Sequence, residues 1–210
     1  GINFIKGEAH FVSDHVVKVN GKRMEAKNII IATGSRSKMP PFMKEEDIRN
    51  QPEGEQHIVT STELLSIKEI PQRITIIGAG VIGMEFASAF AAFGSEVTVI
   101  EFMKECLPPV DSDIAKRLRK TLEKRGVTFY MQSAVRQIIT SSGNEQNATT
   151  VVFDRKGKEQ TVETDLVLIA TGRQPNVENI GLESAGIEFT PRGITVDDNM
   201  ETNVKGVYAI

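Results

Sequence analysis

The chain has 210 residues, of which 40% are hydrophobic and 25% are charged, with a formal net charge of −3. This composition is typical of a globular protein with one large domain or one domain with sizeable additions. The acidic balance argues against nucleic acid or an anionic membrane as the main partner, and no apolar stretch is long enough to span a bilayer. No signal peptide is recognisable at the start, so we expect a cytoplasmic protein.

The single cysteine and the three histidines are scattered along the sequence. Cys106 is the only cysteine, which excludes an internal disulfide, and it precedes Leu107-Pro108-Pro109 in an expected loop. His10, His15 and His57 have no neighbouring triad or ligand pattern. We predict that Cys106 is a structural or incidental thiol rather than a nucleophile, and we predict no metal site.

The first third of the chain predicts a β-meander followed by a connecting segment. Phe4 to Phe11 and Val16 to Val19 are strand-like, and Asn20-Gly21 is a strong hairpin turn. Asn28 to Ala32 is an apolar run that leads into Thr33-Gly34-Ser35. Residues 36–57 lack apolar periodicity, and we expect a connection there.

A helix start and then a strand-turn-helix unit come next. Thr60-Ser61-Thr62 followed by Glu63 predicts a capped helix start. Ile74 to Ile77 is a β-branched run that suits a strand buried on both faces. It leads into glycines with G-x-G-x-x-G spacing, and residues 81–93 have helical periodicity.

These glycines and one acidic residue predict a dinucleotide site. Gly78 permits a tight turn, Gly80 lets the backbone approach a pyrophosphate, and Gly83 allows close packing of helix on strand. The free N–H groups at the helix start attract phosphate. Glu101 lies eighteen residues after Gly83, at the end of the strand Val97 to Ile100, where a carboxylate accepts hydrogen bonds from an adenine ribose.

The same acidic residue favours NAD over NADP. A 2′-phosphate would lie against the charge of Glu101, and NADP sites usually have an arginine nearby to receive that phosphate. Residues 102–106 contain no arginine.

A second helix and a third parallel strand are predicted after Glu101. The helix begins at Asp111-Ser112-Asp113, and its apolar positions predict a buried stripe of Ile114, Leu118 and Leu122. Its basic residues are interpreted as a solvated face. Val127 to Met131 completes strand–helix–strand–helix–strand, which is one mononucleotide-binding half.

The pattern then changes to strands joined by turns. Val135 to Thr140, Thr149 to Phe153 and Leu166 to Ala170 are separated by polar loops, including Ser141 to Asn147. We therefore predict a three-stranded antiparallel meander.

Two parts of the chain repeat one pattern. Gly21-Lys22 leads through a polar strand to an apolar run and Ala32-Thr33-Gly34, and Gly157-Lys158 leads likewise to Ala170-Thr171-Gly172. Small residues at a strand end let the backbone approach a ligand. The repeat predicts a second dinucleotide site, whose βαβ portion we expect to precede residue 1.

The chain resembles the flavoprotein disulfide reductases that carry two dinucleotide-binding domains, and within them the members that oxidise dihydrolipoamide. The resemblance covers essentially the whole chain. The segments that carry it are residues 29–35, 78–101, 107–114, 170–176 and 204–210.

The resemblance implies an α/β fold in which a Rossmann-like NAD-binding domain, with a parallel sheet and an antiparallel meander, interrupts an FAD-binding domain. The expected NAD domain is residues 66–185, with FAD-domain remnants at 1–65 and 186–210. The implied NAD contacts are Gly78, Gly80, Val81, Ile82, Gly83, Glu85, Glu101, Val135, Gly172 and Arg173. The implied FAD contacts in a full-length protein are Gly7, Ala9, Thr33, Gly34 and Ser35.

The resemblance also implies a function for a longer protein, of which we expect these residues to be a central fragment. That protein would oxidise dihydrolipoamide and reduce NAD⁺ through FAD and a redox disulfide. Its partner would be a lipoyl-bearing protein of a 2-oxo acid dehydrogenase or glycine cleavage complex. The cysteine pair and the acid–base residues are absent here, so we predict that the fragment binds NAD(H) without catalysis.

Two alternatives stay open. The chain could belong to another enzyme of the superfamily, such as an NADH oxidase, a mercuric reductase or a related disulfide reductase. It could also be a non-enzymatic NAD-binding module. In either case the remnant segments leave sheet edges unpaired, so we expect a homo-oligomer with contacts through residues 1–35 or 186–210.

Overall fold

The computed structural model describes residues 1–51, 56–140 and 149–210. Its helices are α1 (Glu45–Arg49), α2 (Ser61–Leu64), α3 (Val81–Phe93) and α4 (Ser112–Lys124). The first nine strands are β1 (Ala9–Ser13), β2 (Val16–Val19), β3 (Lys22–Glu25), β4 (Ile29–Ile31), β5 (Ser35–Ser37), β6 (Ile58–Thr60), β7 (Arg73–Ile77), β8 (Glu96–Glu101) and β9 (Thr128–Met131). The others are β10 (Ser133–Thr140), β11 (Thr149–Arg155), β12 (Lys158–Thr164), β13 (Leu166–Ile169), β14 (Arg173–Pro175), β15 (Phe189–Thr190), β16 (Gly193–Ile194) and β17 (Val207–Ala209).

The chain forms two compact units, one of residues 37–172 and one of residues 1–36 with 173–210. The larger unit contains a five-stranded parallel sheet with the order β6-β13-β7-β8-β9. The antiparallel sheet β10-β11-β12 belongs to the same unit. The predicted α/β fold with a parallel sheet and antiparallel strands is confirmed.

The parallel sheet is covered on both faces, and most residues of its strands are apolar, as is typical of parallel sheets. Ile74 and Ile76 of β7 contribute to a core that includes residues of α3 and α4. Ile77 contributes to a second core, on the other face, with Val151 and Phe153 of β11. Helices α3 and α4 therefore cover one face of the sheet, and the meander and Ile48 of α1 cover the other.

The helix starts and ends follow the sequence signals. Thr60 caps α2, since its Oγ1 accepts a hydrogen bond from the N–H of Thr62, and Glu63 accepts one from the N–H of Thr60. The predicted helix over residues 81–93 has the bounds of α3, and Gly94 ends it with a φ of +94°. Such a left-handed residue is the common way to end a helix.

The predicted buried stripe of α4 was wrong in two of its three positions. Leu122 is buried, but Ile114 is 53% exposed and Leu118 is 39% exposed. Ala115 takes the buried position instead and lies in the core with Leu122. Ala115 is seven residues before Leu122 and therefore lies on the same face of the helix, while Ile114 and Leu118 lie largely outside this face.

Three strand predictions need correction. The first strand begins at Ala9, not at Phe4, and Phe4 is exposed. Leu166 to Ala170 does not belong to the meander, because β13 pairs in parallel with β6 and β7, and β12 is the third meander strand. Residues 36–57 contain the end of β5 and the helix α1 in addition to connections. The predicted loop Ser141 to Asn147 lies outside the described residues.

The smaller unit contains the antiparallel sheet β1-β2-β3 and the parallel pair β4-β17. Its core joins the amino-terminal strands to the carboxyl-terminal segment through Phe11, Ile31, Leu182 and Val207, which are all buried. Gly181 has a φ of +75°, and a Cβ there would lie 2.3 Å from the carbonyl oxygen of Phe11. This glycine is therefore required by the close approach of the two segments.

The compact units divide the chain at 36/37 and 172/173, whereas the expected domain boundaries were 65/66 and 185/186. The first boundary differs because β6 and α2 pack with the parallel sheet. The second differs because Leu182 and Ala185 contribute to the core of the smaller unit.

Candidate nucleotide-binding site

The glycine-rich turn between β7 and α3 leaves one position open. Gly78 has a φ of +106°, and a Cβ on it would lie 2.4 Å from the carbonyl oxygen of Ala170. A Cβ on Gly83 would lie 2.0 Å from the carbonyl oxygen of Gly78. A Cβ on Gly80, in contrast, would have no atom within 4 Å. Packing therefore requires Gly78 and Gly83, while Gly80 borders open space.

The start of α3 has no capping side chain. Gly80 is the N-cap residue, and the first helical hydrogen bond runs from the N–H of Met84 to the carbonyl oxygen of Gly80. The N–H groups of the first turn lack intrahelical acceptors, and the helix dipole adds a partial positive charge at this end. An anion is the natural partner for such a group of donors.

Glu101 at the end of β8 holds the turns on either side of it. The N–H of Ala79 donates to its Oε2 at 2.6 Å, and the N–H of Met103 donates to its Oε1 at 2.7 Å. The residue is 8% exposed. Because a carboxylate has about four acceptor positions, two remain for the hydroxyl groups of a ligand.

The loop after Glu101 is fixed to α4 by an ion pair. The Nε of Arg119 donates to Glu105 at 2.7 Å, and both side chains are largely buried. This hydrogen bond is the main cause that keeps the pKa of Glu105 below its usual value, against the opposing effect of burial. The loop that carries Phe102 and Met103 is therefore anchored.

An open cleft of about 1120 Å³ lies at the carboxyl ends of the parallel strands, within the larger unit. Seven of the ten residues predicted to contact NAD line it: Gly78, Gly80, Val81, Ile82, Glu101, Val135 and Gly172. Open α/β sheets bind their ligands at this edge. The fold thus brings residues from four distant parts of the sequence to one cavity.

Three predicted NAD residues lie elsewhere. Gly83 is buried beneath Gly78, and Glu85 is exposed on α3 without lining the cleft. Arg173 belongs to the smaller unit, where its guanidinium donates to the hydroxyl and the carbonyl oxygen of Ser35.

Part of the cleft wall was not predicted from the sequence. Residues 38–42 line it, although residues 36–57 were expected to be a connection only. Phe102, Met103, Ser133 and Arg136 line it as well. The signal for this wall in the sequence is Met39-Pro40-Pro41-Phe42, which is an apolar cluster in an otherwise polar segment.

The residues predicted to contact FAD lie in the smaller unit, where some of them form a network with Asn176. The Oγ1 of Thr33 donates to the carbonyl oxygen of Asn176 at 2.8 Å, and the side-chain amide of Asn176 donates to the carbonyl oxygen of Thr33 at 3.0 Å. Gly34 has a φ of +69° and open space at its Cβ position. Ala9 begins β1, and Gly7 lies beside the side chain of Asn20.

The thiol and two of the three histidines, His15 and His57, contact backbone carbonyl groups. Cys106 is 1% exposed, and its Sγ lies 3.4 Å from the carbonyl oxygen of Ala115. Burial is the main cause that raises the pKa of this thiol to about 11, so it stays protonated near neutral pH. The Nδ1 of His15 lies 2.9 Å from the carbonyl oxygen of Ala26, and that of His57 lies 3.4 Å from the carbonyl oxygen of Asp165.

Over the described residues, no group of three or more His, Cys, Asp or Glu residues has a geometry that could hold a metal ion. Likewise, none of the described helices has the length and apolarity needed to cross a membrane.

Comparison with known proteins agrees with this architecture. The family model of the pyridine nucleotide-disulphide oxidoreductases matches residues 1–210. A dihydrolipoyl dehydrogenase of Acholeplasma laidlawii is 38% identical over 210 residues, which cover 100% of this chain and 58% of that protein. A dihydrolipoyl dehydrogenase of Bacillus subtilis is 38% identical over 217 residues, with 100% and 43% covered.

A solved structure shows the same fold. The HOCl-induced flavoprotein disulfide reductase RclA from Escherichia coli superposes with a TM-score of 0.81 at 34% identity, over 98% of this chain and 44% of that one. The chain thus spans about half the length of the relatives it matches.

Proposed function

Because this chain belongs to the pyridine nucleotide-disulphide oxidoreductase family, we propose that its residues 37–172 form the NAD(H)-binding unit of such an enzyme. The observation that carries the proposal is the open position at Gly80 beside the uncapped start of α3, within the cleft. A side chain at Gly80 would occupy the space that a pyrophosphate needs. The donors and the space together fit a dinucleotide.

Each end of the cofactor has candidate partners in this chain. Glu101 would accept hydrogen bonds from the adenosine ribose while it keeps its two backbone contacts. Val135 and Gly172 would border the adenine and the nicotinamide side of the cleft. Glu85 and Arg173 are further candidates at the nicotinamide end, and both would have to approach a cleft that they do not line here.

Glu101 also supports NAD rather than NADP as the cofactor. Its carboxylate accepts the N–H groups of Ala79 and Met103, which fixes it at the wall of the cleft. A 2′-phosphate in the same position would be repelled by that charge and would find no arginine among residues 102–106.

For the whole protein we propose oxidation of dihydrolipoamide with reduction of NAD⁺. When bound, FAD would supply the electron transfer between the dithiol substrate and the nicotinamide. The 38% identity to dihydrolipoyl dehydrogenases from two organisms supports this assignment. The partner of this enzyme would be a lipoyl-bearing protein. The enzyme itself would be a cytoplasmic homo-oligomer. Its FAD would contact Gly7, Ala9 and residues 33–35.

A second candidate is another disulfide reductase of the family. The superposition on RclA, a HOCl-induced flavoprotein disulfide reductase, favours this candidate. The two candidates share the dinucleotide site and differ in the dithiol or disulfide substrate.

A redox disulfide needs two cysteines, and these 210 residues contain one. The purified chain should therefore bind NADH but should not oxidise dihydrolipoamide when FAD and NAD⁺ are added.

The test is titration of the purified chain with NADH and NADPH. We expect saturable NADH binding and clearly weaker NADPH binding. Glu101→Ala should weaken NADH binding about tenfold or more, because hydrogen bonds to a charged group contribute about 1.5–3 kcal/mol. Glu101→Gln should recover part of the loss, since its amide oxygen still accepts. Glu183→Ala, at an exposed position of the smaller unit, is the matched control and should bind normally.

Two outcomes would contradict the proposal. The first is the absence of saturable NADH binding by the unaltered chain. The second is unchanged NADH binding by Glu101→Ala, provided that its circular dichroism spectrum shows a folded protein. The mass of the native source protein separates an enzyme from a small NAD-binding module, because a module would be close to 210 residues long.

A further inference from the structure

One cation of the cleft wall has no acidic partner among the residues that the structure describes. Three charged side chains line the cleft, namely Lys38, Glu101 and Arg136. Glu101 accepts two backbone N–H groups, and Arg136 donates from Nε and Nη2 to Asp154 at 2.8 and 2.6 Å. Over the described residues, no Asp or Glu oxygen lies within 4 Å of the Lys38 ammonium.

The backbone of Lys38 is fixed close to the glycine-rich turn. Its N–H donates to the carbonyl oxygen of Gly172 at 2.9 Å, and its own carbonyl oxygen accepts the hydroxyl of Thr171 at 2.6 Å. The backbone nitrogen of Thr171 lies only 3.2 Å from the Cβ position of Gly78. In space, Thr171 therefore lies between Lys38 and the glycine-rich turn, at which a pyrophosphate would bind.

The positive charge at the start of α3 is too small to balance the charge of a bound pyrophosphate. A pyrophosphate brings two negative charges, whereas the start of a helix supplies the equivalent of about half a positive charge. Arg136 is already paired with Asp154, so its charge is largely compensated. Lysine has a flexible stem and three donors, which suits it to reach a phosphate as a point charge.

We propose that Lys38 binds the pyrophosphate of the dinucleotide, with its ammonium donating to phosphate oxygens while the N–H groups at the start of α3 donate to the same group. Lys38 thereby selects ligands that carry phosphate and contributes nothing to the recognition of a bare nucleoside. This inference rests on the proposed NAD(H) binding and assigns a role to a residue of the unpredicted wall.

The test compares Lys38→Met with the unaltered chain in titrations with NADH and with adenosine. Methionine keeps the length of the apolar stem and removes the charge. We expect NADH binding at low salt to weaken about two- to fivefold, which is the upper part of the range for ion pairs at exposed sites. Adenosine binding should stay the same. The salt dependence of NADH binding should become shallower, because one phosphate contact that salt screens is lost.

Two controls support the interpretation. Lys38→Arg keeps the charge and should retain most of the affinity for NADH. Lys120→Met removes an exposed lysine of α4, outside the cleft, and should bind NADH normally with an unchanged salt dependence. Thermal melting of each variant establishes that it is folded.

The inference is overturned if Lys38→Met binds NADH with the affinity and salt dependence of the unaltered chain. It is also overturned if adenosine binding weakens as much as NADH binding, since the lysine would then act only on the shape of the wall. Failure of the proposed function looks different, because the unaltered chain itself would then show no saturable NADH binding.

Discussion

The two repeated regions, β1 to β4 in the smaller unit and β10 to β13 in the larger one, have the same backbone design. Each contains a hairpin with a two-residue turn in which both φ angles are positive, at Asn20-Gly21 and at Lys156-Gly157. Each has a register shift at the same place, between Phe11 and Ser13 in one and between Val135 and Gln137 in the other. Each ends in Ala-Thr-Gly, with a positive φ at the glycine.

The regions differ in what surrounds the strand before Ala-Thr-Gly. Strand β13 lies between β6 and β7, and all four of its residues are buried. Strand β4 pairs with β17, and Ile30 at its centre is 67% exposed. Local sequence therefore encodes the turn, the register shift and the strand end, while burial depends on neighbours that come from elsewhere in the chain.

The largest predicted effect concerns the central residues of these two strands. Leu168 of β13 is fully buried, and Ile30 occupies the matching position of β4. Leu168→Ala should lower the free energy of unfolding by about 2–5 kcal/mol, because it removes apolar contacts and leaves a cavity. Ile30→Ala should change it by less than about 0.5 kcal/mol. Urea unfolding followed by circular dichroism measures both.

Equal losses of unfolding free energy in these two variants would contradict the prediction. They would mean that the outer face of β4 is covered in solution, for instance by the contacts through residues 1–35 that we expect in an oligomer. Repeating the Ile30→Ala measurement at several protein concentrations separates that case, since stability would then depend on concentration.

The sequence predicted the parts of the site that depend on local geometry. The turn of Gly78, Gly80 and Gly83 and the bounds of α3 follow from glycine spacing and helical periodicity, and the structure has them as predicted. Glu101 was found because its distance from the glycines is set by one helix and one strand.

The parts that were missed depend on tertiary packing. The orientation of α4 could not be read from its apolar pattern, because Ile114 and Leu118 have the right spacing for a buried stripe and yet Ala115 faces the core. The wall of residues 38–42 was missed for a similar reason. Its place in the cleft comes from hydrogen bonds of Lys38 with Thr171 and Gly172, which are more than 130 positions away in sequence.

A second prediction uses the glycine of each Ala-Thr-Gly. Both Gly34 and Gly172 have open space at the Cβ position, so the backbone alone decides the cost of a side chain. Gly34 has a φ of +69°, which asparagine tolerates, whereas Gly172 has a φ of +111°, which lies beyond the left-handed region that other residues adopt. Gly172→Asn should destabilise the protein by about 1–3 kcal/mol, and Gly34→Asn by less than about 1 kcal/mol.

Urea unfolding of the two asparagine variants gives the measurement, with the alanine variants as controls. Alanine is poor at both positive φ values, so the two alanine variants should both lose stability and should differ less than the asparagine variants do. A Gly34→Asn variant as unstable as Gly172→Asn would show that the strand end of the smaller unit is as constrained as that of the larger one.

The smallest effect is expected in the two hairpin turns, where the first residue has a φ of +50° in Asn20 and +53° in Lys156. Asparagine is far better suited to this conformation than lysine, because its short polar side chain forms local hydrogen bonds. Lys156→Asn should therefore stabilise the protein by about 0.5–1 kcal/mol. Asn20→Lys should destabilise it by a larger amount, since it also removes the hydrogen bond from the Asn20 amide to the carbonyl oxygen of Lys6 at 2.8 Å. If urea unfolding gave the two exchanges equal and opposite effects, that hydrogen bond would contribute nothing, and the two turns would be energetically interchangeable.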